Sequence, residues 1–210
     1  MTTYLLDANV FIQGKNLHYG FDFCPAFWDW LDEAHAAGAV HSIDSVRTEL
    51  LAGSDELATW ARQRSGGFFL APTAATVPSL QATSNWAAGA GYEPSAVSTF
   101  LQVADYYLVA QAHQLQYTVV THEVVSPSVK RIKIPNACLG LDVKYVTPYA
   151  MLRAEKARRP VSKSSISPCL TSRSTPERSA AHVLVDPTRR VICRAPRRSV
   201  TCATCRRARS

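Results

Sequence analysis

The sequence lacks the features that would place the protein in or across a membrane. No apolar run approaches the roughly 20 residues that a membrane-spanning helix needs. The chain reaches Asp7 without the basic segment and long apolar stretch of a secretory signal, so we expect no such signal. From these absences we predict a cytoplasmic protein without membrane contact.

Aromatic residues are absent from the last 50 positions, and the charge changes in the same place. Residues 161–210 contain 11 Lys and Arg against 2 acids, whereas residues 1–160 contain 12 Lys and Arg against 14 acids. The formal net charge of +7 therefore originates in the C-terminal segment. Overall basicity is consequently no evidence that the first part of the chain binds nucleic acid.

This shift in composition predicts two parts of different character. Residues 1–158 have the apolar content of a folded domain, and residues 159–210 form a basic, Ser- and Arg-rich tail that we expect to be disordered. The two cysteines of the first part are isolated, which is typical of reduced thiols rather than of a disulfide framework.

Four further cysteines lie in the tail, and only Cys202 and Cys205 have the spacing of metal ligands. A zinc site needs two more ligands at workable spacing, for which Cys193 and His182 are the candidates. A single pair of this kind is weak evidence for zinc, so an unstructured basic tail is the interpretation that we prefer.

Short β-branched or apolar segments alternate with helical patterns along the first part of the chain. Strands are predicted at about 4–6, 39–43, 68–70, 117–121 and 143–146. Helices are predicted at about 25–37, 44–52, 55–64, 77–88, 94–102, 106–115 and 148–157. This alternation predicts an α/β fold with a central, mainly parallel sheet and helices on both faces.

Four acidic residues stand at the ends of predicted strands or on the helices between them: Asp7, Glu49, Asp105 and Glu123. Each carboxylate alone could be a helix cap or a surface residue. As a set they favour a functional site, because the carboxyl ends of parallel strands meet at one edge of the sheet.

Carboxylates brought together at such an edge repel one another unless a cation compensates their charge. Mg²⁺ and Mn²⁺ prefer carboxylate and water oxygens and leave positions open for a substrate phosphate. No cluster of His or Cys in the first 160 residues offers a competing site. The pattern therefore predicts Mg²⁺ or Mn²⁺ as cofactor, activating water for phosphodiester hydrolysis.

Segments around these acids resemble PIN domains in the expected order. The segments are 4–12, 46–50, 104–112 and 119–123, and a further stretch at 134–138 also agrees. Residues 16–31, with Tyr19-Gly20-Phe21-Asp22 and Phe27-Trp28-Asp29-Trp30, resemble more narrowly the DUF4411 branch of PIN-like proteins. The resemblance spans about residues 3–155 and leaves the tail outside.

The resemblance implies a three-layer PIN-like fold and an endoribonuclease that depends on Mg²⁺ or Mn²⁺. Such proteins, VapC-type toxins among them, are commonly the toxin of a type II toxin–antitoxin pair, so an RNA substrate, an antitoxin partner and a homodimer are expected. The implied catalytic residues are Asp7, Glu49, Asp105 and Glu123, with Asp7, Asp105 and Glu123 as metal ligands and Asn9 and Thr121 in support.

Glu123 departs from the family pattern, since many PIN domains have Asp at this position. Its extra methylene places the carboxylate about one bond farther out, so direct contact with a metal is less expected there than at Asp7 or Asp105.

Two other functions remain open at the level of sequence. A haloacid-dehalogenase-like phosphatase also has an Asp after its first strand, but it normally has a second Asp two residues later, where this chain has Asn9. A non-catalytic module that binds RNA or protein would use the acids as helix caps and the Arg-rich tail for phosphate contacts. Metal-dependent cleavage by residues 1–160 alone would separate a nuclease from such a module.

Overall fold

The computed structural model describes residues 2–64 and 67–156. The predictions for the tail, including its disorder and the Cys202–Cys205 metal spacing, lie outside these residues.

Five strands form one parallel sheet at the centre of the described chain. They are β1 (Tyr4–Leu6), β2 (Val40–Ile43), β3 (Phe69–Leu70), β4 (Thr118–Val120) and β5 (Tyr145–Val146). Their spatial order is β3-β2-β1-β4-β5, and every pairing between neighbours is parallel. Leu5, Leu6, Val119 and Val120 are completely buried, as expected for a parallel sheet that is covered on both faces.

The helices that flank the sheet are α1 (Ala8–Gln13), α2 (Pro25–Ala36), α3 (Asp44–Leu51), α4 (Glu56–Gln63), α5 (Val77–Gly89), α6 (Pro94–Phe100), α7 (Ala104–Leu115), α8 (Ile134–Gly140) and α9 (Pro148–Ala154). A π-helical turn, Gly14–His18, continues α1, and a 3₁₀ turn, Ala74–Thr76, precedes α5. The predicted α/β class is confirmed, and the arrangement is consistent with a three-layer PIN-like fold. No helix in the described ranges is both long and apolar enough to cross a bilayer.

Two helices were not predicted from the sequence. The first is α1, which begins directly after Asp7, whose backbone is extended. The second is α8, in a stretch of seven residues that begins Ile-Pro. Both helices span about two turns or fewer, and neither lies within a longer segment of helical pattern in the sequence. The equally short α6 and α9 could be predicted because the helical patterns at 94–102 and 148–157 extend beyond them.

Aromatic residues fill the core on the β3 side of the sheet. The ring of the fully buried Phe11 lies 5.4 Å from that of Trp60 and 6.2 Å from that of Phe68. Trp28 and Trp60 are both buried as well. The core therefore packs α1 and α4 against one half of the sheet.

The chain changes direction within the sheet at β1. It runs outward from β1 through β2 to β3, then returns across β1 to β4 and β5. The connections from β1 and β4 consequently diverge at their carboxyl ends. In open α/β sheets this reversal point is where ligands bind.

Candidate functional site

Asp7 and Thr121 meet at the carboxyl ends of β1 and β4. The Asp7 amide donates to the Val120 carbonyl across the two strands at 3.0 Å. The Thr121 hydroxyl donates to Oδ2 of Asp7 at 2.8 Å, and the Asp7 residue is only 2% exposed. The first acid of the predicted site is therefore fixed in the floor of the reversal point.

Burial raises the pKa of Asp7 from 3.8 to about 6. Hydrogen bonds from Thr121 and Asn9 act in the opposite direction, and the negative charge of Glu123 adds to the rise. Near neutral pH this carboxylate is thus ionised at a cost in free energy that a nearby cation would offset.

Asp105 lies in the first turn of α7, the helix that leads into β4. Burial raises its pKa from 3.8 to about 7, and the charges of Asp7, Glu123 and Glu49 contribute in that order. Arg131 acts in the opposite direction. The charges of the other three acids predicted from the sequence therefore all reach Asp105.

Glu49 lies on α3 with much of its side chain in contact with solvent. The burial of the remaining part raises its pKa above the ordinary value. It lines a cleft of about 490 Å³ together with Asn9, Asp105, Lys130 and Arg131. We call this the main cleft. Its walls combine acidic and basic side chains, which suits a ligand that carries both a metal ion and phosphate groups.

Glu123 lies three residues beyond the end of β4, and its side chain is only 8% exposed. Lys133 Nζ donates to its Oε1, and the Ile134 amide donates to its Oε2 at 3.0 Å. Its own amide donates to the hydroxyl oxygen of Thr121 at 3.0 Å. Both carboxylate oxygens are therefore engaged by the start of α8.

A second concavity, the side groove, adjoins the main cleft. It has a volume of about 600 Å³, and Asn9 and Arg131 line both. His122 borders the side groove, and its ring centroid lies 5.5 Å from that of His18 and 5.9 Å from that of Tyr149. The sequence had indicated dispersed histidines, because His18 and His122 are far apart along the chain.

A family model described as "Domain of unknown function (DUF4411)" matches residues 4–159. The chain belongs to the DUF4411 family. No curated protein and no solved structure matches it. Since the family's description records no activity, the finer resemblance to PIN ribonucleases stays a prediction.

All the site residues discussed so far lie inside the DUF4411 match, including three cations that the sequence reasoning missed: Lys130, Arg131 and Lys133. The sequence did contain a signal, because three basic residues occur in four positions directly before α8. These cations reach the same edge of the sheet from a loop, and a loop has no periodic pattern that would place them there.

The carboxylates of this DUF4411 domain fit a metal by their chemistry. Asp7, Glu49 and Asp105 offer the oxygen donors that Mg²⁺ and Mn²⁺ prefer. Burial first, and then repulsion by the other carboxylates, raises the pKa of Asp105. Within residues 2–64 and 67–156, however, no group of three or more His, Cys, Asp or Glu side chains is arranged as a ready metal site. The donor set thus favours a hard divalent cation, with Asp7 and Asp105 as the residues that would hold it.

Proposed function

We propose that this DUF4411 domain is a metal-dependent nuclease of PIN-like type that hydrolyses phosphodiester bonds in RNA. The observation that carries the proposal is that Asp7, at the reversal point of the sheet, lies near enough to Asp105 for its charge to raise the pKa of Asp105. Both have a pKa raised into the range of about 6 to 7, next to a cleft lined by Lys130 and Arg131. Strongly perturbed acids in a cleft favour a catalytic site over a set of surface caps.

The chain's own residues have separable parts in this proposal. Thr121 holds one oxygen of Asp7 and thereby fixes the orientation of its carboxylate. Asp105 and Asn9 line the main cleft, and Glu49, on α3, is the candidate to accept a proton from an attacking water. When bound, Mg²⁺ or Mn²⁺ would supply Lewis acidity for water activation and for the leaving oxygen.

The decisive experiment incubates the purified full-length chain with an RNA and a single-stranded DNA of the same sequence, with Mg²⁺, Mn²⁺ or EDTA. We expect RNA cleavage with either metal and none in EDTA. Asp105→Asn should lower the rate by about 10²-fold or more, as loss of a major electrostatic contributor does. Asp29→Asn, a change at an exposed acid on α2, is the matched control.

Several outcomes would count against the proposal. Cleavage of the DNA but not of the RNA would show that the substrate is DNA. Cleavage that continues in EDTA would show that the reaction does not depend on a metal. Absence of cleavage with both metals and both nucleic acids would favour the non-catalytic binding module.

A toxin role, a cognate antitoxin and a homodimer are proposed on the resemblance alone. A cytoplasmic location is proposed on the lack of an apolar run of membrane length. Expression of the chain without a partner should then slow bacterial growth and degrade cellular RNA, and the Asp105→Asn chain should do neither. Normal growth and intact RNA at a high level of the unaltered protein would argue against the toxin role.

A further inference from the structure

We propose that Lys130, Arg131 and Lys133 form a phosphate-binding arm for the nucleic acid substrate, and that Glu123 positions this arm instead of binding the metal. We call these three residues the cationic arm. The inference rests on the proposed function, since the phosphates it would bind are those of the RNA that the site is proposed to cut.

The backbone alternation around Ile132 presents the cationic arm to both concavities. Ile132 is 3% exposed and packs in the core, whereas the side chain of Arg131 is 69% exposed and that of Lys133 is 26% exposed. Lys130 and Arg131 line the main cleft, and Arg131 and Lys133 line the side groove. Arg131 thus stands where a strand of nucleic acid could pass from one to the other.

The loop that carries the cationic arm is anchored before and after it. The Glu93 amide donates to the Val129 carbonyl at 3.0 Å. On α8, Asn136 donates from Nδ2 to the Ser126 carbonyl at 2.8 Å and accepts from the Ser126 amide at 3.0 Å. An arm that is already ordered loses little conformational entropy when it binds a ligand, which favours affinity.

Glu123 completes this anchoring through both of its carboxylate oxygens. Oε1 accepts from Lys133 and lies 3.7 Å from Nη2 of Arg131, while Oε2 accepts from the Ile134 amide. A metal bound by Glu123 would compete with these partners for the same two oxygens, and the loss of Glu123 as counter-charge for the partly buried Lys133 is costly. The Glu123 carboxylate therefore holds Lys133 and Arg131 in place and fixes the start of α8.

The charges of the site explain why such an arm is needed. Asp7, Glu49 and Asp105 together repel a polyanion, and a single divalent cation cannot fully reverse three negative charges. The guanidinium of Arg131 can bind a phosphate through two parallel hydrogen bonds and stays charged at every working pH. The arm would thus attract the RNA backbone at the edge of the acidic cleft.

The first test measures RNA binding in EDTA, so that it does not depend on catalysis. A fluorescein-labelled 12-nucleotide RNA is titrated with full-length protein at several salt concentrations, and anisotropy gives the affinity. Arg131→Gln should weaken binding roughly tenfold, as loss of a charge-assisted hydrogen bond does. It should also reduce the slope of log affinity against log salt by about 0.7, the contribution of one phosphate contact to a single strand.

Two exposed cations that line neither the main cleft nor the side groove provide matched controls. They are Arg62, in the last turn of α4, and Lys144, directly before β5. Arg62→Gln and Lys144→Gln should leave affinity and slope near their original values. Equal effects in Arg131→Gln and in these controls would overturn the arm, as would failure of the unaltered protein to bind this RNA in EDTA. Binding through the arm without any cleavage would overturn only the proposed nuclease function.

The second test separates the two roles of Glu123 by the sign of a stability change. In EDTA, the carboxylate of a metal ligand is repelled by the neighbouring carboxylates, and this repulsion destabilises the fold. Asp105→Asn removes one of these charges and should therefore raise the melting temperature. Glu123→Gln should instead lower it, because the change removes the negative charge that pairs with Lys133. Lys133→Gln should lower it too, and the double variant should lose less than the sum of the two single variants.

Titration with Mn²⁺, followed by its electron paramagnetic resonance signal, completes this test. If Glu123→Gln raised the melting temperature in EDTA and weakened Mn²⁺ binding at least tenfold, Glu123 would be a ligand and the positioning role would be wrong. If Glu123→Gln failed to fold, the melting temperature of Lys133→Gln would decide whether Glu123 anchors the cationic arm. A melting temperature of Lys133→Gln equal to that of the unaltered protein would overturn this positioning role.

Discussion

Asp7 combines burial with ionisable chemistry in a way that makes it sensitive to its surroundings. Its side chain has lost almost all contact with water, and only Thr121 and Asn9 offset that loss by hydrogen bonding. The rise of its pKa from 3.8 to about 6 corresponds to about 3 kcal/mol in favour of the protonated form. This residue therefore stores an electrostatic cost that a bound cation would relieve.

Replacement of Asp7 by Asn should separate stability from activity. Asn keeps the size of the side chain and can still accept from Thr121, but it removes a charge that burial penalises. We expect a melting temperature in EDTA that is equal or higher, and a cleavage rate at least about 10²-fold lower. Thermal melts and cleavage rates of the same preparation check both, and a folded Asp7→Asn chain with the original rate would contradict the proposed site.

The metal-free protein should become less stable as the pH rises from about 4 to about 7. In this range the folded chain binds more protons than the unfolded chain, because the pKa of Asp7 is about 6 and that of Asp105 about 7, against 3.8 when unfolded. Stability contributed by the protonated acids is present at the lower end and lost towards the upper end.

Urea denaturation in EDTA at pH 5 and pH 8 tests this dependence. The difference between the two pH values should shrink in Asp7→Asn and in Asp105→Asn relative to the unaltered chain, while Asp29→Asn should leave it unchanged. Mn²⁺ at pH 8 should restore part of the lost stability. An unaltered pH dependence in both variants would show that neither acid is perturbed by its environment.

At the scale of elements, the strands and longer helices could be predicted because each carries a complete repeat. Tyr4–Leu6 and Thr118–Val120 are buried β-branched or apolar runs, and Ala104–Leu115 spans three turns. The short helices α1 and α8 carry no such repeat, so local pattern could not reveal them.

The candidate site followed the same division. Asp7 and Asp105 could be placed from the sequence, because strand ends and the first turns of the helices between strands converge in a parallel sheet. The residues that surround Glu123 could not be predicted from the sequence. Lys133 and Ile134 lie ten and eleven residues further along the chain, and an irregular loop brings them back to Glu123. Pairings across such loops leave no periodic trace in the sequence.

The contact between α5 and α8 provides a test of packing at this scale. A Cβ atom on Gly140 would overlap the indole ring of Trp86, so Gly140→Ala forces one helix away from the other. Overpacking of this kind costs about 1–3 kcal/mol, which exceeds the gain of about 1 kcal/mol in helix propensity. We expect a net loss of free energy of unfolding, measured by urea denaturation.

Gly89 is the matched control for this change. It is also the last residue of its helix, but a Cβ atom there would meet nothing within 4 Å. Gly89→Ala should be neutral or stabilising by up to about 1 kcal/mol. If Gly140→Ala gave the same result as Gly89→Ala, the close approach of α5 and α8 would be wrong.

At the scale of the whole molecule, the folded core should be independent of the tail. Buried apolar residues run from Tyr4 to Met151, which lies in the last helix of the described chain. A chain that ends at Pro160 should therefore melt within a few degrees of the full-length chain. It should also retain metal-dependent cleavage if the nuclease proposal holds; collapse of the shortened chain would show that residues after 160 belong to the core.

The pairing of β1 with β4 gives the proposed activity a place in the order of protein synthesis. Thr121, which orients Asp7, is translated 114 residues after it. A nascent chain released before β4 has been made would lack the floor of the site, however well β1 to β3 had formed. If the domain cuts RNA as proposed, a ribosome making it would hold an inactive fragment until β4 and Thr121 have been translated. Cutting of RNA could begin only afterwards.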